Sequence, residues 1–160
     1  MKSTLTLVTA ALVVVGCSTA PESKVAATPA AVPATTKQCA PPPKELVQKD
    51  ITIGDGKEVA LRSATYFAYT GWLYDGCAAD LKGAKFDSSE GRTTPFGVIV
   101  GAGRVIKGWD EGVMGMKERG KRLLVIPPDK AYGEKGAGNG LIPPNSTLVF
   151  EVTVLNILQQ

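Results

Sequence analysis

Only one segment of the chain has the residue spacing of a helix, and this limits the possible fold more than any other feature. Its apolar residues recur three or four positions apart and would share one helical face: Val105, Ile106, Trp109, Val113 and Met116. Glycines at 108, 112 and 115 interrupt the same segment, and each costs about 1 kcal/mol of helix propensity relative to alanine. We therefore predict one short helix, stabilised by close packing of its glycine backbone against a flat surface.

The other apolar patterns are typical of strands. They alternate with polar residues or are dense in β-branched and aromatic residues, and they cover residues 46–53, 64–74, 95–100, 122–126 and 147–158. Residues 75–85 read as a polar excursion, and the glycines and prolines of residues 131–145 predict a loop. Five charged residues close together predict a solvated turn before a strand: Lys117, Glu118, Arg119, Lys121 and Arg122. One short helix against an antiparallel sheet makes an α+β domain.

The N-terminal region is predicted to be a targeting segment and not part of the fold. Residues 1–16 begin with a positive charge at Lys2, continue with an apolar run too short to span a bilayer and end in small residues, as a signal peptide does. Val14-Val15-Gly16-Cys17 resembles the bacterial lipobox, which predicts lipid attachment at Cys17; the alternative is an ordinary signal peptide with a chance cysteine. Residues 17–43 are rich in Ala, Pro and Thr and are predicted to form a tether. The folded domain is placed at residues 44–160.

Composition excludes several classes of function. The 160 residues contain no histidine, which excludes histidine triads and argues against a zinc site, so we expect no metal and no cofactor. The glycine-rich stretch after Gly101 is not a phosphate loop, because Ile106, Trp109 and Asp110 occupy positions that such loops reserve for other residues. A formal net charge of +3 is too small and too scattered to indicate nucleic-acid binding.

Two cysteines remain after the predicted signal, Cys39 and Cys77. In an oxidising compartment they are expected to form a disulfide between the tether and the 75–85 excursion, and two free thiols are the alternative. Asp110 and Glu111 are neighbours on the predicted helix and point to different sides. They suit a solvated face better than acid–base chemistry.

Five motifs occur in the order typical of one enzyme family. They are YTGWLYDG (69–76), KFDSS (85–89), VIKGWDEGV (105–113), AYG (131–133) and LIPPNSTLVFEVTVL (141–155). Together they resemble FKBP-type peptidyl-prolyl cis–trans isomerases over essentially all of residues 44–158. The signal and tether make the chain similar to lipid-anchored members of the bacterial envelope.

The resemblance implies a five-stranded antiparallel sheet curled around one short helix, and a cleft that binds proline. It implies four catalytic residues: Tyr69, Asp87, Ile106 and Tyr132. It implies six substrate-binding residues: Phe86, Phe96, Val105, Trp109, Ile142 and Phe150. Trp109 would form the floor of the cleft, and Arg92 would pair with Asp87.

Two departures from the family pattern affect the rim of the cleft. The loop between Tyr69 and Phe86 is lengthened by CAADLKG (77–83), and GEKGAGNG (133–140) replaces a region where eukaryotic members commonly carry histidine. Contacts from these parts of the rim cannot be transferred.

The expected activity is rotation of X-Pro peptide bonds during folding of exported proteins. The expected partners are proline-containing polypeptides, the family's macrolide inhibitors and a membrane reached through the lipid anchor, with no nucleic acid. We expect a monomer in the periplasm, on the outer membrane in preference to the inner. The alternatives are a chaperone or adaptor that binds proline segments without catalysis, and a purely structural lipoprotein.

Overall fold

The computed structural model describes residues 39–158; the predicted signal peptide, Cys17 and most of the tether lie outside them. Within this range the chain forms six strands and one α-helix. In chain order these are β1 (Val47–Thr52), β2 (Ala64–Tyr74), β3 (Lys82–Ser88), β4 (Phe96–Ile99), α1 (Lys107–Gly112), β5 (Lys121–Ile126) and β6 (Leu148–Leu158). Two single 3-10 turns, Pro128–Lys130 and Gly133–Lys135, lie in and beside the predicted 131–145 loop.

The strands form one antiparallel sheet in the order β1-β5-β6-β2-β3, and β4 pairs with β2 as well. The two 11-residue strands, β2 and β6, are its centre. The expectation of an α+β domain with one short helix is confirmed, but the sheet has six strands and not five. The additional strand is β3, because residues 82–85 belong to it and not to a polar excursion.

The helix lies against the inner face of the sheet at its glycines. A Cβ atom on Gly108 would lie 2.3 Å from Cγ2 of Ile126, and one on Gly112 would lie 2.8 Å from the Leu124 side chain. Real Cβ atoms do not approach other atoms so closely, so only glycine permits this packing distance. The prediction that glycines bring the helix onto the sheet is confirmed.

The helix is shorter than its apolar pattern. Ile106 is the N-cap with an extended backbone (φ −60°, ψ 149°), and Val113 is the C-cap. Val105 and Met116 therefore lie outside the helical turns. Val113 and Met116 are nevertheless buried in the core, because the chain continues along the same inner face of the sheet after the helix ends.

Arg122 corrects the interpretation of the charged segment 117–122 as a solvated turn. Its side chain is only 10% exposed. The guanidinium Nε donates to Asp50 Oδ1 over 2.6 Å, and Nη1 donates to the carbonyls of Gly112 and Met114 over 2.9 and 3.0 Å. Arg122 thus links β1, β5 and the end of α1. Alternation along β5 is the cause: Lys121 points outward to Glu151, and its neighbour points inward.

Residues of the predicted tether next to the domain contact the sheet. Cys39 and Cys77 are joined by a disulfide, and the Ala40 N–H donates to the Gly76 carbonyl over 2.9 Å. The Tyr74 hydroxyl lies 3.1 Å from the carbonyl oxygens of both Ala40 and Pro41. Between residues 39 and 158 there is no helix long and apolar enough to cross a membrane.

Candidate active site

A pocket of about 350 Å³ opens between the start of α1 and strands β2, β3, β4 and β6. Nine of the ten residues predicted for the cleft line it: Tyr69, Phe86, Asp87, Phe96, Val105, Ile106, Trp109, Tyr132 and Phe150. The tenth, Ile142, is not among the lining residues; its side chain is 5% exposed and packs in the core. Arg92 and Arg104 complete the lining.

Aromatic rings in edge-to-face contact form the apolar wall. Trp109 is 4% exposed, and its ring centroid lies 5.4 Å from Tyr69, 5.7 Å from Phe96 and 5.6 Å from Phe150. Phe86 extends the wall through an edge-to-face contact with Phe150 at 5.5 Å. Such pairs lie in the favoured range of separation and orientation. The rings hold one another in place, so the wall is preformed for an apolar ligand.

The polar edge of the pocket is centred on Asp87. One carboxylate oxygen accepts from the Tyr69 hydroxyl over 2.6 Å, and the other accepts from Arg92 Nη2 over 2.5 Å. The Ser88 N–H also donates to the second oxygen over 2.8 Å. The expected pairing of Arg92 with Asp87 is present. The Arg92 guanidinium also lies 5.9 Å from the centre of the Tyr69 ring, a distance at which a cation and a ring attract.

The two tyrosines of the pocket have different partners. Burial, reinforced by the hydrogen bond to Asp87, raises the pKa of Tyr69 to about 12. Burial also raises the pKa of Tyr132, with a smaller contribution from the charge of Asp87. The Tyr132 side chain is 40% exposed, and its hydroxyl has no hydrogen-bond partner among residues 39–158. Tyr132 therefore keeps a free donor at the mouth of the pocket.

A second free donor lies at the beginning of the helix. The carbonyl of Ile106 accepts from the N–H groups of Trp109 and Asp110, but its own N–H has no acceptor in the described part of the chain. An N–H at this position has no partner within the helix. Since Ile106 lines the pocket, the donor is available to a ligand.

The loop before the helix is fixed by Asp110. Its carboxylate accepts from the Gly101 N–H over 2.8 Å and from the Gly103 N–H over 3.1 Å. Both glycines have positive φ angles, 75° and 66°, which residues with a Cβ rarely adopt. Glu111 points elsewhere and pairs with Lys130. Asp110 thus positions the loop that ends at Ile106, and the two acids do not act as a pair.

Sequence reasoning missed Arg104 as a residue of the pocket. It precedes the motif that carries Val105 and Ile106, and an arginine in a polar loop has no local pattern that marks it. No group of three or more His, Cys, Asp or Glu side chains within residues 39–158 is arranged to hold a metal ion.

A curled antiparallel sheet over one short helix, with an aromatic pocket and free donors at its mouth, defines the class of proline-bond rotamases. The family of FKBP-type peptidyl-prolyl cis-trans isomerases matches residues 55–155, more than half of the chain, and the chain belongs to this family. Its activity is accordingly peptidyl-prolyl cis–trans isomerisation.

Individual relatives agree with this assignment. The chain is 47% identical to the FK506-binding protein of Neisseria meningitidis serogroup A over 71% of its own length and 97% of the relative's. It superposes on the crystal structure of AtFKBP13 with a TM-score of 0.61 and 35% identity, covering 76% of this chain and 99% of the other. The peptidyl-prolyl cis-trans isomerase from Pseudomonas syringae gives a TM-score of 0.58 and 33% identity over 71% and 76% of the two chains.

Proposed function

We propose that the pocket binds the proline ring of an X-Pro segment and lowers the rotation barrier of the preceding peptide bond without a covalent step. The observation that carries this is a pair of donors without an acceptor among residues 39–158, the Ile106 N–H and the Tyr132 hydroxyl, at the mouth of an aromatic pocket. Its volume of about 350 Å³ lies in the range of pockets for small ligands.

Catalysis follows from the origin of the barrier. Rotation costs ~18–20 kcal/mol because amide resonance, which places negative charge on the carbonyl oxygen, is lost at the twisted geometry. A dry wall of rings disfavours the polar planar form relative to the twisted one. The Ile106 N–H and the Tyr132 hydroxyl donate to substrate carbonyls and hold the proline segment in a turn.

Asp87 acts as an orienting group and not as a nucleophile. Tyr69, Arg92 and the Ser88 N–H all donate to it, so its carboxylate fixes the ring of Tyr69 and places a negative charge beside the bound amide. This charge polarises the pocket on the side that faces the rotating bond. No cysteine, histidine or metal takes part in the proposed steps.

The decisive experiment is a coupled isomerisation assay on X-Pro peptides in which residue X is varied. We expect Leu and Phe before proline to give the highest kcat/KM, because an apolar side chain packs against Phe86 and Phe150. If the protein binds these peptides but leaves their isomerisation at the uncatalysed rate, the adaptor or chaperone alternative replaces this proposal.

Replacement of Asp87 tests its role within that assay. Asp87→Asn retains the shape of the side chain but removes the negative charge to which Arg92 and Tyr69 donate hydrogen bonds. We expect kcat/KM to fall by about tenfold, equivalent to ~1.4 kcal/mol of transition-state stabilisation, while the melting temperature stays close to that of the wild type. Asp80→Asn, on the exposed β2–β3 loop, is the matched control and should retain full activity. Equal activity of the two variants would remove Asp87 from the mechanism.

Macrolide binding is proposed for the same pocket. The relatives that support it carry the name FK506-binding protein, and the aromatic wall described above provides an apolar lining. We expect FK506 to inhibit isomerisation competitively with peptide. Binding that leaves peptide turnover unaffected would place the macrolide elsewhere on the molecule.

The cellular setting is proposed from the sequence: lipid attachment at Cys17, a tether to residue 43 and a monomeric domain in the periplasm, on the outer membrane in preference to the inner, acting on exported proteins. The Cys39–Cys77 disulfide supports an oxidising compartment. Mass spectrometry of the mature N-terminus tests the anchor, and Cys17→Ala should move the protein from the membrane to the soluble fraction. A mature wild-type chain without lipid would refute this setting.

A further inference from the structure

Arg104 is a charged residue of the pocket that the proposed catalysis does not use. Arg104 is exposed, and the residue belongs to the lining of the pocket. Within residues 39–158 it forms no ion pair and no side-chain hydrogen bond. The other arginine of the lining, Arg92, is held by Asp87. The ionised lining side chains are thus two arginines and one aspartate, which leaves one positive charge without a counterion.

The backbone on either side of Arg104 is well placed to present this charge to a ligand. Asp110 holds the preceding residue, Gly103, through its N–H, and the free N–H of Ile106 lies two residues further on. A fully extended chain spans at most roughly 3.3–3.6 Å per residue, so at most roughly 7 Å of backbone separates Arg104 from Ile106. The Arg104 guanidinium carries a positive charge and five N–H donors.

We propose that Arg104 is a specificity-determining residue that favours proline segments with an Asp or Glu close to the proline. The inference rests on the proposed function, because it requires the substrate backbone to pass Ile106. A substrate carbonyl bound there brings neighbouring side chains of the substrate within reach of the unpaired guanidinium. An acidic side chain gains an ion pair, and a basic one meets repulsion. The size expected for such a pair at an exposed edge is about two- to fivefold in kcat/KM.

Matched peptides measure this preference. In a series with Leu-Pro held constant, each flanking position in turn carries Glu or Gln, and the readout is the Glu/Gln ratio of kcat/KM. For the wild type we expect a ratio of about two to five at one or more positions, decreasing as salt is added. Arg104→Lys should keep this ratio above one, Arg104→Gln should bring it to one, and Arg104→Glu should bring it below one.

Lys49→Gln provides the control for overall charge. Lys49 is exposed on β1, is absent from the pocket lining and has no ion pair in the described part of the chain. This variant loses the same charge as Arg104→Gln and should keep the wild-type ratio. A wild-type ratio of one at every position, or a ratio that survives in Arg104→Gln, overturns the proposal. Equal loss in Lys49→Gln also overturns it, because the effect would then come from the net charge of the protein.

Failure of the proposed function is recognised separately. If no peptide of the series is isomerised, catalysis in this pocket is refuted, and the Glu/Gln ratio is then taken from peptide dissociation constants measured by tryptophan fluorescence. The expected ratios for the wild type, the three Arg104 variants and Lys49→Gln stay the same. The binding data alone then decide whether Arg104 selects acidic side chains.

Discussion

At the scale of single residues, hydrogen-bond partners separate two tyrosines that share one pocket. The Tyr69 hydroxyl is committed to Asp87 over 2.6 Å, whereas that of Tyr132 has no partner within residues 39–158. A committed hydroxyl fixes the geometry of the wall, and a free one can bind substrate. We therefore propose that the Tyr69 hydroxyl orients the wall of the pocket and that the Tyr132 hydroxyl binds substrate.

The burial of Tyr69, together with its hydrogen bond to Asp87, predicts how stability depends on alkaline pH. Its folded-state pKa of about 12 is above the unfolded value of roughly 10. The protonated hydroxyl therefore contributes stability that is fully present below pH 10 and is lost as pH rises toward 12. We expect the free energy of unfolding of the wild type to decrease across this interval, and that of Tyr69→Phe to decrease less.

Urea unfolding at several pH values provides the measurement, with isomerase activity followed in parallel. Tyr66→Phe, at an outward-facing position of the same strand, is the control and should keep the wild-type slope. If Tyr69→Phe and the wild type lose stability equally, the hydroxyl of Tyr69 is not held in the folded state as described.

At the scale of elements, local sequence patterns correctly predicted the long strand β2 and the helix α1. Residues 64–74, predicted as a strand from their density of aromatic residues and threonine, form β2 with the same bounds. The single helix was found from its spacing and glycines. The ends of the helix were not predicted correctly. Ile106 precedes the helix with an extended backbone, and tertiary contacts set this conformation.

Elements and side chains whose surroundings are non-local could not be predicted. Strand β3 lacks an apolar pattern and exists through its pairing with β2, with shifts in register at Trp72. The burial of Arg122 depends on Asp50, which lies 72 positions away in the chain. Most of the pocket was found from family motifs, and Arg104, which lies just before one of them, was missed.

The close approach of α1 to β5 predicts an order of damage for two matched substitutions. Alanine has the higher helix propensity, by about 1 kcal/mol, so each glycine-to-alanine change would stabilise an isolated helix. In the folded domain a Cβ on Gly108 meets Ile126 at 2.3 Å, and one on Gly112 meets the more flexible end of Leu124 at 2.8 Å. We expect Gly108→Ala to destabilise by about 1–3 kcal/mol, and Gly112→Ala by less.

Thermal and urea unfolding of the two variants test this order. Gly108 precedes Trp109, which lines the pocket. A displacement of the helix in Gly108→Ala would move Trp109, so this variant should also have a lower kcat/KM. Increased stability of Gly108→Ala would show that helix propensity outweighs packing and that the helix can move away from the sheet.

At the scale of the whole molecule, the Cys39–Cys77 disulfide closes a ring that contains an exposed edge strand. The cysteines are 38 positions apart, and the enclosed segment contains β1, an edge strand whose six residues are all exposed. In the sheet this strand pairs with β5 alone. The Arg122 side chain also holds it, through the ion pair with Asp50. A covalent link at residue 39 limits how far the segment can move when β1 separates from the sheet.

Reduction of the disulfide is therefore expected to lower stability without stopping catalysis. Chain entropy gives about 4 kcal/mol for closing a ring of this size, and the contacts of Ala40 and Tyr74 retain part of the order after reduction, so we expect a loss of about 2–3 kcal/mol. Urea unfolding with and without reductant measures the difference. Activity at low urea should be unchanged, because neither cysteine lines the pocket. The Cys39→Ser, Cys77→Ser double variant should have the stability of the reduced wild type and should not respond to reductant. Equal unfolding midpoints for the reduced and the oxidised wild type would show that the disulfide does not constrain the unfolded chain.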